Sequence, residues 1–172
     1  LVGPYGSGKS AFALFLSKLL AGDGKGAHSA ALNTLKKADE TLGEAYSELN
    51  GNGLGYLEIL VTGSPEALGK RLLEALSSAA EEFWSGQKAA RPRVLKALRV
   101  AATSSSVSTT EIIALVKQLQ KDYKKAGGEG ILFVIDELGK FLFGISNQED
   151  VNKWRNRLGM CRYRSTGNNE RI

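Results

Sequence analysis

The sequence predicts a three-layer α/β domain, in which helices cover both faces of a mostly parallel sheet, and three observations lead to this prediction. A glycine-rich segment at residues 3–10 runs directly into an apolar helix. Two apolar segments, Tyr56–Thr62 and Ile131–Ile135, have the composition of strands. About three helical pieces lie between those strands, and parallel strands need a crossover connection of this kind.

Length and composition favour one folded domain. The chain has 172 residues, of which 42% are hydrophobic and 24% charged, so it can bury a core. One cysteine, Cys161, and one histidine, His28, exclude a disulfide within the chain, a cysteine zinc cluster and a histidine-centred metal site. No apolar run reaches the roughly 18 residues that cross a bilayer. We therefore expect a cytoplasmic protein with no membrane partner.

Charge divides the sequence unevenly. The net charge is +5, and residues 143–172 hold six Lys or Arg against three Asp or Glu. We therefore divide the chain into a core at 1–142 and a basic tail at 143–172, which we expect to be poorly ordered. Binding of a nucleic-acid backbone is the alternative role for such a tail. We also expect the core to be truncated at both ends, because only Leu1 and Val2 precede the glycine-rich segment and no strand follows residue 137.

The first half of the chain predicts two helices and a strand. Apolar residues recur at helical spacing over Ser10–Leu20, and a second helix is expected from Ala30 to Leu49. The glycine-rich segment 50–55 ends that helix. The strand at Tyr56–Thr62 is followed by Ser64, Pro65 and Glu66, which predict a helix with Ser64 as its N-cap.

The second half predicts three helices and a strand. The helix that follows Ser64 extends to about Trp84, and another helix is expected from Pro92 to Ala102. Ser108 and Glu111 form a capping-box pattern that opens a further helix, which ends at Gly127 and Gly128. The continuous apolar run Ile131–Ile135 predicts a buried parallel strand.

Residues 3–10 match the pattern G-x-x-x-x-G-K-[ST] at every fixed position. Glycines let the backbone curl so that its N–H groups surround a phosphate, and the helix that follows adds the positive end of its dipole. Lys9 supplies a cation to the outer phosphates, and Ser10 offers its hydroxyl to Mg²⁺. The predicted nucleotide-binding residues are Gly3, Pro4, Tyr5, Gly6, Ser7, Gly8, Lys9, Ser10 and Ala11.

Two acids follow the second strand. A carboxylate at the end of a buried strand can hold the Mg²⁺ shell opposite the phosphate loop, and we assign this role to Asp136. Glu137 is the candidate catalytic base, since a neighbouring carboxylate can polarise the attacking water. Lys9 is the second candidate catalytic residue. The alternative for Glu137 is an ordinary surface residue of a turn.

The segments GPYGSGKSAFALFLSKLL and ILFVIDELGKFL resemble the P-loop NTPases of the additional-strand catalytic-glutamate division, which includes the AAA-type ATPases. More narrowly, the chain is similar to ATP-binding proteins of large bacterial multidomain ATPases, some of them from phage-defence loci. The resemblance implies a three-layer P-loop domain with a helical insertion before the Walker-B strand. It also implies binding of ATP and Mg²⁺ and hydrolysis of ATP within a larger parent chain.

The chain departs from that pattern in two respects, and a second function therefore stays open. Residues 65–127 predict about three helical pieces where one would suffice, and no strand with a polar sensor residue follows Glu137. The alternative is a switch or scaffold that binds ATP without efficient turnover. GTP is not expected, because Asn152–Arg155 lacks the final acid of the guanine-reading motif N-K-x-D.

Overall fold

The structure is a computed structural model that describes residues 6–21, 26–50, 54–64, 66–86 and 91–143. These ranges form seven helices and two strands. In chain order the elements are α1 (Lys9–Leu20), α2 (Gly26–Ala38), α3 (Glu40–Asn50), β1 (Tyr56–Thr62), α4 (Leu68–Ser85), α5 (Arg93–Thr103), α6 (Thr109–Lys125), β2 (Gly130–Asp136) and α7 (Leu138–Phe143).

The prediction of a three-layer P-loop domain with a mostly parallel sheet is wrong. The described residues form one two-stranded parallel sheet among seven helices, which makes this a small, mostly helical domain. The reason lies in the apolar pattern. Only two segments combine an apolar run with strand-like ends, whereas the apolar residues between them recur at helical spacing and fold as α4, α5 and α6.

The two strands themselves were predicted closely. β1 covers the predicted residues, and β2 extends one residue beyond the prediction at each end. They pair in parallel register, from Tyr56 opposite Gly130 to Thr62 opposite Asp136. β2 was expected to be buried, yet Phe133 is 37% exposed. The described sheet gives β2 a neighbour on one edge alone, so its side chains are covered less than those of a central strand.

The core lies on one face of the sheet, under three helices. Leu57, Ile59 and Val61 point into it from alternate positions of β1, which α4 covers, while α6 packs on β2 and α5 packs against α4 and α6. Leu76, Leu98 and Leu119, one from each helix, are fully buried. Burying one such leucine contributes about 1.5–3 kcal/mol, so this cluster is the main source of the stability of the fold.

Three aromatic rings close one end of the core. Phe83 packs edge-on against Trp84 and against Tyr123, with ring centroids 4.7 and 4.9 Å apart. The Tyr123 hydroxyl lies 3.1 Å from the carbonyl oxygen of Leu54, at the start of β1. The rings therefore join α4 and α6 to the strand. Trp84 is 3% exposed.

One predicted helix proves to be two. The sequence predicted a single helix over 30–49, but the chain breaks at Asp39 into α2 and α3. The Asp39 carboxylate accepts a hydrogen bond from the backbone N–H of Leu42 at 2.9 Å. An aspartate that binds the third N–H of a helix acts as its N-cap, and this bond starts α3.

The caps of α4 and α6 differ in how well they were predicted. Ser64 is not the cap of α4, because that helix begins at Leu68 after Ala67. Ser108 is the cap of α6, as predicted, and its hydroxyl accepts from the N–H of Glu111 at 3.2 Å. Pro65 lies outside the described residues, and so does the predicted basic tail beyond Phe143, the last residue of α7.

Candidate functional site

The described part of the glycine-rich loop has the backbone that phosphate binding requires. Gly6 and Gly8 have φ angles of 79° and 78°, and Gly8 is the N-cap of α1. Among the described residues, no atom beyond the adjacent ones lies within 4 Å of the place where a Cβ would be at either glycine. The glycines are thus required by the left-handed backbone and not by crowding. Gly3, Pro4 and Tyr5 lie outside the described residues.

The first turn of α1 presents positive charge and exposed backbone. It contains no acidic residue, and Ser7, Ser10 and Ala11 are exposed. The first N–H groups of a helix have no partner within the helix and point out of its N-terminus. The Lys9 ammonium donates to the Ser7 hydroxyl at 3.3 Å, so this side chain bends back over the loop. The turn therefore offers N–H groups, an ammonium and a hydroxyl to an anion.

The acidic pair lies at the carboxyl edge of the sheet. Asp136 ends β2 opposite Thr62, and its carboxylate is exposed. One of its oxygens, Oδ1, accepts from the backbone N–H of Glu137 at 2.9 Å. Oδ2 appears in no described hydrogen bond or ion pair. The carboxylate can therefore contact a cation or its water shell without losing the bond that orients it.

Glu137 occupies a left-handed turn between β2 and α7. Its φ angle is 52°, a conformation that costs a residue with a Cβ on the order of 1 kcal/mol. The surrounding structure holds it there, and its carboxylate remains 42% exposed. The Oε2 atom accepts from the ammonium of Lys140, one turn further along α7, at 2.5 Å. The candidate base is thus at the surface and is paired with a lysine.

Gly63 fixes the turn that carries Glu137. The Gly63 N–H donates to the carbonyl oxygen of Asp136 at 2.9 Å, which continues the contact between the strands past their ends. A Cβ on Gly63 would lie 2.2 Å from the carbonyl oxygen of Glu137. The two chain segments can approach this closely because residue 63 has no side chain.

Gly63→Ala is therefore expected to destabilise the fold by about 1–3 kcal/mol, because the backbone of Glu137 must shift to admit the methyl group. Chemical denaturation followed by circular dichroism measures this change. Gly139→Ala is the matched control, since in the part of the chain that the structure describes no neighbouring atom lies within 4 Å of the corresponding Cβ position. A Gly63→Ala protein as stable as the Gly139→Ala protein would contradict the close approach.

A polar contact holds α1 against the sheet and was not foreseen from the sequence. Glu58, the third residue of β1, accepts hydrogen bonds from the hydroxyl of Ser17 and the ammonium of Lys18. Ser17 is 1% exposed. The Tyr46 hydroxyl of α3 also donates to the carbonyl oxygen of Leu19, and burial raises the pKa of Tyr46. The only signal in the sequence was an acid, Glu58, within an otherwise apolar strand.

Lys9 and Ser10, at the start of α1, and Asp136, at the end of β2, belong to elements that touch, since α1 packs against both strands. Within the described ranges, no hydrogen bond joins Ser10 to Asp136, the two predicted metal-binding residues. Nor do the described residues contain three or more His, Cys, Asp or Glu grouped so that they could hold a metal. Mg²⁺ does not need such a group, because it binds through one or two carboxylates, substrate phosphates and several waters.

Comparison with known proteins yields no relatives. No protein-family model, curated protein or solved structure matches the chain. The case for a nucleotide site therefore depends on the residues and geometry described above.

In the described ranges, no helix combines the length and the apolar character that crossing a membrane requires.

Proposed function

We propose that this chain binds ATP with Mg²⁺ and hydrolyses it, as the motor or switch domain of a larger ATPase. The observation that carries the proposal is the start of α1, where left-handed Gly6 and Gly8 precede Lys9 and Ser10. Such a loop concentrates backbone N–H groups and a helix dipole on an anion. This property is local, so the proposal does not need a three-layer sheet.

In this proposal the phosphates lie on the N–H groups of residues 3–11, and Lys9 turns from Ser7 to the outer phosphates. Its bond to Ser7 is long, 3.3 Å, and exposed, so breaking that bond costs little free energy. Ser10 and Asp136 hold Mg²⁺ with its waters between them. Lys9, the metal and the loop amides neutralise the charge that develops when water attacks the γ-phosphate in line.

Glu137 polarises the attacking water. Lys140 holds Oε2, so the exposed carboxylate must either use Oε1 or leave Lys140, and the cost of leaving is small. The two side chains are 42% and 55% exposed, and an exposed ion pair of this kind contributes about 0.3–0.5 kcal/mol. The ion pair orients Glu137 in the absence of nucleotide without preventing its use as a base.

The same ion pair favours a second candidate function, an ATP-binding switch or scaffold without efficient turnover. If the ion pair with Lys140 holds the carboxylate away from the attacking water, Glu137 is a residue of the turn alone. This candidate agrees with the first on ATP binding and differs on the role of Glu137.

Isothermal titration of the 172-residue chain with ATP tests the shared part of both candidates. We expect ATP to bind, and to bind more tightly with Mg²⁺ than with a chelator present. Because the chain lacks the guanine-reading motif, GTP should bind no more tightly than ATP. No binding of ATP at millimolar concentration would refute the proposal, and displacement of ATP by far lower concentrations of GTP would refute the choice of base.

A matched pair of glycine variants ties any binding to the loop. Gly8→Ala puts a side chain on a residue whose φ is 78°, which disturbs the start of α1. Gly86→Ala makes the same change at the end of α4, where φ is an ordinary −85°. ATP affinity should fall in the first variant and stay unchanged in the second. Equal affinities would place the nucleotide elsewhere.

A further inference from the structure

A second charged surface lies on α6, away from the proposed nucleotide site. Four lysines and Gln120 line one shallow groove there. The lysines occupy one face of the helix at intervals of four, three and one residues, and they extend about 12 Å along it. We call this surface the α6 basic groove; its lysines are Lys117, Lys121, Lys124 and Lys125.

The charges of the α6 basic groove are not neutralised within the described ranges, where none of its four ammonium groups forms an ion pair. The nearest acids along the chain are Asp122, whose two carboxylate oxygens accept from Gln118 at 3.1 Å, and the exposed Glu129. The helix dipole explains basic residues in the last turn. It does not explain Lys117 and Lys121, which lie in the middle of α6.

An exposed aromatic ring adjoins the groove. Tyr56, at the start of β1, is 38% exposed and its ring lies over Gly130. The place where a Cβ would be on Gly130 is 3.4 Å from that ring and 3.9 Å from the side-chain amide nitrogen of Gln120. Gln120 also lines the groove. Gln120 therefore lies between the lysines of the groove and the Tyr56 ring.

We propose that the α6 basic groove and Tyr56 bind single-stranded nucleic acid. The lysines contact successive phosphates, and the Tyr56 ring stacks on an unpaired base, which is how proteins combine charge and aromatic rings on single strands. An anionic membrane would instead need a broad apolar face beside the lysines, and the groove itself is lined by lysines and one glutamine.

This surface is separate from the proposed nucleotide site. Gly130 begins β2 and Asp136 ends it, so the ring and the acidic pair lie about 20 Å apart along the strand. The proposal therefore stands on its own residues. Failure to bind ATP would leave this proposal unaffected. Failure to bind single-stranded nucleic acid would likewise leave the ATP proposal unaffected.

Fluorescence anisotropy with a labelled oligothymidylate tests the proposal on the 172-residue chain. We expect binding that weakens as salt rises. Lys121→Gln/Lys124→Gln should weaken it about tenfold and lower the slope of log affinity against log salt by about 1.4, the value for two lost phosphate contacts on a single strand. Lys37→Gln/Lys96→Gln removes the same charge from two other helices and should change affinity less than twofold.

Tyr56 distinguishes stacking from charge alone. Tyr56→Leu should weaken oligothymidylate binding about fivefold or more, whereas Tyr56→Phe keeps the ring and should retain affinity. Circular dichroism checks that each variant folds, and Lys117→Gln/Lys121→Gln replaces the first lysine variant if that one does not.

Competition separates the three anionic partners. Polyglutamate and vesicles that contain phosphatidylserine should compete poorly with the oligothymidylate. The proposal is overturned if the chain binds vesicles but no oligonucleotide, or if polyglutamate competes equally while Tyr56→Leu has no effect. It is also overturned if the lysine variants and their control bind alike.

Discussion

Replacing Lys9 by alanine is expected to weaken ATP binding by about 10- to 100-fold. Lys9 is the lysine of the glycine-rich loop, and hydrogen bonds to charged groups contribute about 1.5–3 kcal/mol each. One of its contacts, a 3.3 Å bond to the Ser7 hydroxyl, is weaker than the charge-assisted bond it would form with a phosphate. Removing the lysine side chain should therefore cost binding free energy.

Calorimetry with ATP and Mg²⁺ measures this loss, and Lys37→Ala is the control. Lys37 is an exposed lysine of α2, so its removal changes the net charge equally without touching the loop. If both variants bind ATP as the wild type does, Lys9 does not contact the phosphates. If both lose affinity alike, general electrostatic attraction and not a defined site is responsible.

Local signals predicted the strands well because both ends of each strand are marked in the sequence. Glycines precede β1 and β2, and polar residues end them at Thr62 and Asp136. Local signals of this kind do not predict how many strands the sheet contains. The three-layer sheet was inferred from the glycine-rich segment, the two strand-like segments and the helices between them, and from the resemblance of two motifs. A motif of a few residues fixes its own loop without fixing the elements around it.

The errors at helix ends have a different cause, which is contact between distant parts of the chain. Ser64 has the sequence context of an N-cap, but the bond from Gly63 to Asp136 keeps the chain extended beside β2 past Thr62. The helix can begin only after the chain leaves the sheet. Helical periodicity likewise continues across Asp39, and a single side-chain bond to Leu42 decides where α3 starts.

In the candidate site, too, local sequence predicted some features, and others depend on neighbouring structure. The glycine and lysine positions of the loop follow from the sequence pattern, and the described part of the loop has the expected left-handed glycines. The pairing of Glu137 with Lys140 depends on α7, a helix of six residues that apolar periodicity is too short to reveal. The sequence therefore predicted Glu137 as the base but did not predict its ion pair with Lys140.

Glu137→Gln separates the two candidate functions. Glutamine keeps the size of the side chain and its hydrogen bonding but lacks the negative charge and the basicity. If Glu137 polarises the attacking water, ATP should still bind, and turnover in the larger ATPase should fall by about 100-fold or more, the scale of a lost general base. Asp136→Asn should instead weaken the part of ATP binding that depends on Mg²⁺.

Two controls make this comparison specific. Glu129→Gln makes the same change at an exposed acid just before β2, at the opposite end of the strand, and should leave turnover unchanged. Lys140→Ala releases the Glu137 carboxylate from its ion pair. A base that must leave Lys140 in order to act then needs no such step, so turnover should stay the same or rise slightly.

The role of Lys140 also decides what a negative result means. A Glu137→Gln protein with wild-type turnover would make Glu137 a residue of the turn and leave the water to another group. A parent protein that binds ATP but shows no turnover, in the wild type and in Lys140→Ala alike, would favour the switch or scaffold. Turnover that appears only in Lys140→Ala would show instead that the ion pair holds the base inactive, and a partner that displaces Lys140 would then activate hydrolysis.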